Sequence, residues 1–495
     1  MFLIKMEISY CFDDILISPR YSDIKTRNDI DLKINIGING RKLILKTPLI
    51  SSPMDTVSMS LMCIKMALYG GIGILHRYQS IENQVNELIK VKRFLQYIII
   101  NPHIVKPNYS LQYVEELKND YKVSTFCVVN DNNELIGLIT NRDMEYTTDK
   151  PLLVSDVMNE KLYVLTIAPD ELNNIQYIIQ NAKLLMIKYK VEKIPIIEIG
   201  SNKLIGLITW KNVKHFENNA SQSCLDANGK LCCGAAIGIT GDWWERLEAL
   251  INANVDCICI DVANGYNDNV RNAIYTIRQK YPSLVIIAGN VCTGDGFKYL
   301  ADCDVDCIRV GIGNGSICST RGETGIGRGQ FTSIIDIFDT KNKYNLNNII
   351  ISDGGSLNSV GNKAKALIAG AGIIMLGRTL AATEESPSMI IYKDGQKYKY
   401  TRGMASTIAN ISKMELCNDK GTIKKHCEGI DGYTPLKGTV KDIIDETTDG
   451  IKSAFSYIGC NSIHMVHNLR IQNIIKFNIM TPIGINESHT RLHKF

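Results

Sequence analysis

Residues 311–330 read GIGNGSICSTRGETGIGRGQ. The stretch sets Cys318 on a glycine-rich turn with Ser316, Ser319 and Thr320 beside it and Arg321 close behind. A thiol among hydroxyls, a basic residue and glycines suits a nucleophile facing a phosphorylated ligand. A free thiol is scarcely ionised at neutral pH, so such a site must lower its pKa or supply a base.

Other turns share this character. Asp261-Val262-Ala263-Asn264-Gly265, Gly289-Asn290, Gly311–Gly315, Asp353-Gly354-Gly355 and Gly377-Arg378 each follow a short apolar run. Glycines there let backbone amides approach a ligand phosphate, a serine can donate to one, and Asp353 can bridge two hydroxyls of a ribose. No paired Cys-x2-Cys and His-x3-His spacing exists to build a tetrahedral zinc site.

The elements that must carry these turns follow from periodicity. Between about Leu231 and Thr383, runs such as VDCICID, SLVIIAGNV, DCIRVGIG, NIIISDGG and AGIIMLG alternate with longer helix-like segments, the rhythm of successive βα units. LKTPLISSPMD (45–55) and GGIGILH (70–76) repeat the pattern of strand then polar turn. Strand ends that all finish in polar or glycine-rich turns favour a (β/α)8 barrel, with a doubly wound sheet as the competitor. At 495 residues the chain exceeds one core, so a large domain plus a smaller one is expected.

The smaller one is an internal repeat. FCVVNDNNELIGLITNRDM (126–144) and IPIIEIGSNKLIGLITWKNV (194–213) each read strand, turn, strand and helix start, with GLIT recurring at 137–140 and 206–209. The repeat resembles a tandem pair of CBS modules. The resemblance implies an adenine-nucleotide site on the residues after the second strand: Thr140 and Asp143 in the first copy, Thr209 in the second. Asn212 there replaces the aspartate, which favours one ligand site over two. The expected division is barrel over 1–97, CBS pair over 98–218 and barrel again over 219–495.

Bulk properties exclude several classes. Lys and Arg total 55 against 51 Asp and Glu, for a net charge of +4 without a long basic run, so no nucleic-acid partner is indicated. No stretch is apolar for long enough to cross a membrane, and no secretory signal opens the chain. The 15 cysteines are scattered through strand-like runs, which implies a reducing, cytoplasmic compartment; Cys257, Cys259, Cys303 and Cys307 are expected to be buried thiols.

The string around Cys318 is similar to the catalytic-loop signature of the IMP dehydrogenase/GMP reductase family, whose cysteine attacks C2 of the purine. The resemblance spans almost the whole chain, from FDDILISPR (12–20) through SSPMDTVS (51–58), CGAAIG (233–238), ISDGG (351–355) and RGMAS (402–406) to GINESHT (484–490). It implies a TIM barrel and catalytic roles for Cys318, Thr320 and Glu428. The substrate phosphate falls to Ser316, Gly355, Gly377 and Arg378, and ribose to Asp353. The base falls to Ser52, Met54, Gly403, Met404 and the Glu428-Gly429 segment. Asn314 and Gly329 stand where the family usually has proline. A potassium site is implied too, from the carbonyls of Gly313, Gly315 and Cys318 with Glu487, Ser488 and His489 of a neighbouring subunit. So is a homotetramer, extended to an octamer where CBS pairs join two.

The two activities of the family diverge in ways the sequence addresses. Dehydrogenases oxidise IMP with NAD and then hydrolyse the adduct with water activated by an Arg-Tyr pair on a flap. Residues 407–427, TIANISKMELCNDKGTIKKHC, contain neither residue. DVANGY (261–266) resembles GMP reductases, which bind NADPH there, at Asp261, Val262 and Ala263 in this chain; Arg77 stands where those enzymes carry a basic residue near the cofactor. The CBS insertion, GGIGILH, CGAAIG and Glu487-Ser488-His489 look dehydrogenase-like. Weighed together, these point to NADPH-dependent reductive deamination of GMP to IMP. IMP dehydrogenase is the alternative, and a non-catalytic nucleotide sensor the remaining one.

Overall fold

The computed structural model describes residues 6–94, 97–121, 123–145, 152–168, 171, 174–355, 359–416, 427–481 and 483–484. They form two compact units, the smaller comprising Leu95–Ser221 with Leu225–Lys230.

The larger unit is built on a closed parallel barrel of β1 (Leu49–Ser51), β2 (Ile72–Leu75), β3 (Cys233–Ile237), β4 (Cys257–Asp261), β5 (Val285–Val291), β6 (Cys307–Val310), β7 (Ile349–Asp353) and β8 (Ile373–Leu376). Each strand pairs with its sequence neighbour, and β8 closes on β1 through Ile374 with Leu49 and Leu376 with Ser51. Helices follow the strands: α1 (Ser60–Leu68), α2 (Ile81–Arg93), α3 (Trp243–Asn252), α4 (Asp268–Lys280), α5 (Gly294–Ala301), α6 (Gln330–Lys343), α7 (Val360–Ala369) and α8 (Val440–Tyr457). Their starts are chemically marked. Ser80, Asn267, Thr293, Ser359 and Thr439 each accept a first-turn amide at the N-cap of α2, α4, α5, α7 and α8.

Alternate strand residues fill the interior, as the two-residue period of a strand requires. Ile72 and Ile74, Cys257 and Cys259, Val285 and Ile287, and Ile373 and Met375 belong to one buried cluster. Ile36, Leu43 and Leu45, from a hairpin of Ile34–Asn35 with Ile44–Leu45, pack into the same cluster against the first residues of the strands. That end is filled, so the strand C-termini form the open face.

Cys257, Cys259 and Cys307 are fully buried and Cys303 nearly so. Burial pushes Cys259 up to about 12 and Cys257 and Cys307 well above the ordinary thiol range. They act as small apolar wedges in the barrel.

The smaller unit has the repeat written into its topology. Thr125–Val129 pairs antiparallel with Leu135–Thr140 and parallel with Ile104–Val105. Lys193–Glu198 pairs antiparallel with Leu204–Thr209 and parallel with Leu165–Ile167. The register shifts once in each copy, at Val128/Val129 and at Ile196/Ile197. Helices Leu111–Tyr121 and Ile175–Tyr189 occupy equivalent places before the paired strands. Among the described residues no helix is long and apolar enough to cross a membrane.

Candidate active site

Residues at the C-terminal ends of β4 to β7 are tied together by Arg309, a cation within the otherwise apolar strand β6. It is 5% exposed, donates to Asp261 at the end of β4 (2.6 Å) and to Asp353 at the end of β7 (2.9 Å). Asn290, at the end of β5, donates its amide to Asp353 Oδ2 (2.9 Å) and to the Gly311 carbonyl (2.8 Å). Desolvation works against the buried Arg309 guanidinium, but the Cys259, Asp353 and Asp261 side chains together outweigh it and raise Arg309 well above its ordinary range. One edge of Asp353 is thereby fixed in orientation.

The Cys318 loop leaves β6 through Gly311 and Gly313, both at positive φ (142° and 73°), where a side chain would be strained. Asn314 anchors its near end, donating to the Asp353 carbonyl (3.0 Å) and to the Gln330 side chain while its own carbonyl accepts Gly355 N–H (3.0 Å). An asparagine in place of proline thus supplies side-chain bonds to the turn that carries Asp353. The far end is held from the N-terminus: Gly329 N–H donates to Ser9 Oγ (2.7 Å), and a Cβ on Gly329 would stand 2.4 Å from the Tyr10 carbonyl. Proline there would lose that donor and collide, so the departure from the family pattern fits the path of the Ser9–Tyr10 segment.

Cys318 itself is exposed. Its Sγ lies 3.1 Å from Thr320 Oγ1, which donates to Glu428 Oε2 at 2.8 Å. Backbone bonds fix the relay: Ser319 N–H to the Glu428 carbonyl (3.1 Å), Ile430 N–H to the Ile317 carbonyl (3.1 Å) and Gly403 N–H to the Ile430 carbonyl (2.9 Å). Three chain segments meet too closely for side chains. A Cβ on Gly403 would be 2.9 Å from the Ile317 carbonyl, and one on Gly429 would be 2.9 Å from Ser406 N. Thiol, hydroxyl and carboxylate make a continuous path for a proton from sulfur to Glu428.

The remaining sequence-derived residues fall around this centre. Ser52 is buried where β1 meets β8, its N–H on the Leu376 carbonyl (3.0 Å). Met54 Sδ is 3.3 Å from where a Cβ on Gly377 would be, so the Gly377-Arg378 turn runs against Met54. Gly355, at φ 82°, passes over Gln330 so closely that a Cβ would be 2.6 Å from that side chain. Arg378 is exposed at the start of Arg378–Ala381, and Ser316 is exposed on the loop. Met404 Sδ accepts the Asp55 N–H (3.4 Å), and Asp55 pairs with Arg402. Arg77 Nε is 3.7 Å from Asp261 Oδ2, and Ala263 follows Val262 onto an exposed turn. Asp261 therefore faces two guanidinium groups.

The structure adds residues that sequence reasoning passed over, Arg309, Gln330 and the Asp55–Arg402 pair, and gives Asn290 of the Gly289-Asn290 turn a side-chain role. Only Arg309 carried a visible signal, a charge inside the apolar run DCIRVG. For the cation site, the Gly315 carbonyl already accepts Cys318 N–H (3.1 Å), while Glu487, Ser488 and His489 lie outside the described residues. In the smaller unit, Asp143 Oδ2 accepts the N–H and Oγ1 of Thr140, both at 2.7 Å. Asn212 accepts the same two groups of Thr209. Locally, then, Asn212 reproduces the geometry of Asp143, and the sequence difference that favoured one ligand site leaves the turn unchanged.

An exposed thiol wired to a carboxylate at the C-terminal face of a parallel barrel is the equipment of a covalent catalyst acting on a small substrate. Comparison with known proteins narrows that class. The profile of the IMP dehydrogenase / GMP reductase domain matches residues 9–491. The chain is 38% identical to inosine-5'-monophosphate dehydrogenase of Bacillus subtilis, over 97% of this chain and 94% of that protein. It is 36% identical to the enzyme of the same name from Nitrosopumilus maritimus, over 96% and 97%. Among solved structures it resembles a cysteine-to-alanine variant of Trypanosoma brucei GMP reductase in complex with guanosine 5'-monophosphate, with TM-score 0.81, 32% identity and 99% of both chains covered. The chain belongs to the IMP dehydrogenase/GMP reductase family, oxidoreductases of purine nucleotides that use nicotinamide cofactors.

Proposed function

We propose that this protein is a GMP reductase, converting GMP and NADPH to IMP, ammonia and NADP. The observation that carries this reading is the relay Cys318–Thr320–Glu428 in a chain whose residues 407–427 hold neither arginine nor tyrosine. A reductase needs a proton delivered to its leaving amine; a dehydrogenase needs an activated water. Losing a general base typically costs about 10²–10⁴-fold, so a dehydrogenase without that pair would be poor. The likeness to Trypanosoma brucei GMP reductase supports the same side.

In the proposed reaction the Cys318 thiol passes its proton through Thr320 to Glu428 as sulfur bonds to C2 of GMP. Glu428 returns a proton by the same path, so the 2-amino group leaves as ammonia. NADPH supplies the hydride that C2 then receives, after which the carbon–sulfur bond breaks with its electron pair leaving on sulfur, IMP departs, and the Cys318 thiolate takes up a proton from solvent. Arg77 and the exposed Val262–Ala263 turn beside Asp261 offer a guanidinium and backbone amides, donors that fit an anionic dinucleotide. Asp353 holds the ribose hydroxyls. Ser316, Gly355, Gly377 and Arg378 hold the phosphate, and Ser52, Met54, Gly403, Met404 and Gly429 border the base.

The smaller unit is, on this reading, a CBS pair over residues 98–218 that binds a purine nucleotide through Thr140, Asp143 and Thr209, in a homotetramer or an octamer of paired tetramers. IMP dehydrogenase is the second reading, favoured by the names of the relatives at 36–38% identity. Absorbance at 340 nm separates the two. Decay with GMP and NADPH, with ammonia formed, is expected. A rise with IMP and NAD, and no decay in the first mixture, would replace the reductase by the dehydrogenase.

A further inference from the structure

Opposite the Cys318 face, a cavity of about 300 Å³ opens beside the first residues of β7 and the Gly370–Gly372 turn before β8. Lys33, Lys341, His464 and His467 line it, and no lining residue among those described is acidic. Lys341, in the last turn of α6, has no hydrogen-bonding or ion-pair partner among the described residues, and burial pulls it down to about 8. His467 spends its Nε2 on the Leu367 (3.2 Å) and Ala371 (3.1 Å) carbonyls. Burial, Lys341 and His464 push its pKa down to about 4. Lys33 is half exposed and 3.7 Å from Asp31. The first turn of helix Ile463–Ile471 contributes Ile463 and His464 to the wall, adding the positive end of a helix dipole.

Lys341 is thus a buried cation without an ion-pair partner among the described residues, set on an apolar-backed void beside a helix N-terminus, and such a charge is unfavourable unless an anion completes it. Protein interiors place carboxylates at such points; here the place is left open to the outside. We propose that this cavity is a second anion site, taking a phosphate group, either inorganic phosphate or the phosphate of a nucleotide, with Lys341 as its principal ligand. It lies at the strand N-termini, away from the phosphate turns at Gly355 and Gly377, and it stands whichever of the two family reactions the enzyme catalyses.

The test is amine-acylation footprinting of the whole enzyme, with the exposed Lys343 as reagent control. At about ten times its Kd, phosphate should slow Lys341 labelling about tenfold relative to chloride at equal ionic strength, because only the empty site reacts. Protection by inorganic phosphate identifies the free ion as ligand. Protection by GMP or GTP but not by phosphate identifies the nucleotide-borne group. If neither anion protects Lys341, the site does not exist. In a second measurement, Lys341→Met should lose its share of the phosphate-induced rise in Tm; an unchanged rise overturns the proposal even where the footprint is ambiguous.

Discussion

Cys318 and Cys259 are the same side chain at two places in one barrel, and their surroundings fit them for different tasks. Cys318 stands exposed on a loop with Thr320 and Glu428 in line to take its proton. Cys259 points into the barrel, fully buried, 3.6 Å from Arg309, and yet its thiol is pushed up to about 12. A nearby cation ordinarily favours a thiolate. Here Asp261 and Asp353 have already claimed the guanidinium, so desolvation wins. Proximity to a positive charge does not make a nucleophile; an uncommitted acceptor for the proton does.

The strongest way to sharpen that contrast is to delete each thiol. Cys318→Ala should reduce kcat by at least about 10⁴-fold while leaving Tm unchanged, since a covalent route vanishes when its nucleophile does. Steady-state kinetics with a thermal melt checks both halves; an active variant would remove the covalent mechanism. Glu428→Gln comes next, with a loss of about 10²–10⁴-fold and a flattened pH profile, because the amide keeps the Thr320 contact but cannot hold the proton. Full activity in this variant would mean that the relay is structural only.

Arg309→Met tests the middle of the comparison. Removing the guanidinium leaves Asp261 with Arg77 and Asp353 with Asn290 as their remaining side-chain partners, at a cost of up to about 3–5 kcal/mol in stability, read from chemical denaturation. Asp353 also loses an orienting bond, so KM for the nucleotide should rise. A variant as stable as the parent would show that the two carboxylates find other partners.

Much of this was legible beforehand, and for identifiable reasons. Strand runs ending in polar turns, from ISSPMD to IIMLGR, announced a barrel because side chains alternate and the chemistry gathers at one end. The repeated GLIT marked two equivalent strands, and the structure places them at matching registers. The Cys318 loop stood out through the length of its glycine-rich string. What stayed hidden were contacts between residues far apart in sequence. Ser9 meets Gly329, Asp55 meets Arg402, and Arg309 joins two strand ends on either side of it. No local period encodes such meetings; they follow from closing the barrel. The Asp143 to Asn212 difference does not alter the local turn, since an amide oxygen accepts the same turn bonds as a carboxylate.

Alkali offers a gentler probe of the buried thiols. Burial raises Cys127 and Cys259 from ordinary values to about 12, so each favours folding fully below about pH 9, and that contribution is lost as pH climbs towards 12. Stability should therefore fall with a slope steeper than the lysines and tyrosines explain, and Cys259→Ala should shallow it. Below that window, iodoacetamide should modify Cys318 with loss of activity while Cys257, Cys259 and Cys307 stay intact until the protein unfolds.

The smallest effect separates two buried cysteines from each other. Cys307 Sγ donates to the Ile36 carbonyl at 3.2 Å, whereas Cys257, equally buried, has no side-chain hydrogen-bond acceptor among the described residues. Serine is smaller and more polar than cysteine, so both Cys→Ser changes weaken packing, but only at 257 does the new hydroxyl enter the core without an acceptor. An unsatisfied buried hydroxyl costs about 1–3 kcal/mol, whereas a satisfied one returns about 1 kcal/mol. Cys257→Ser should thus be the less stable variant by about 1 kcal/mol or more in urea denaturation, with kcat unchanged in both. Equal losses would mean that the Cys307 contact contributes nothing, and that the barrel reads its cysteines by volume alone.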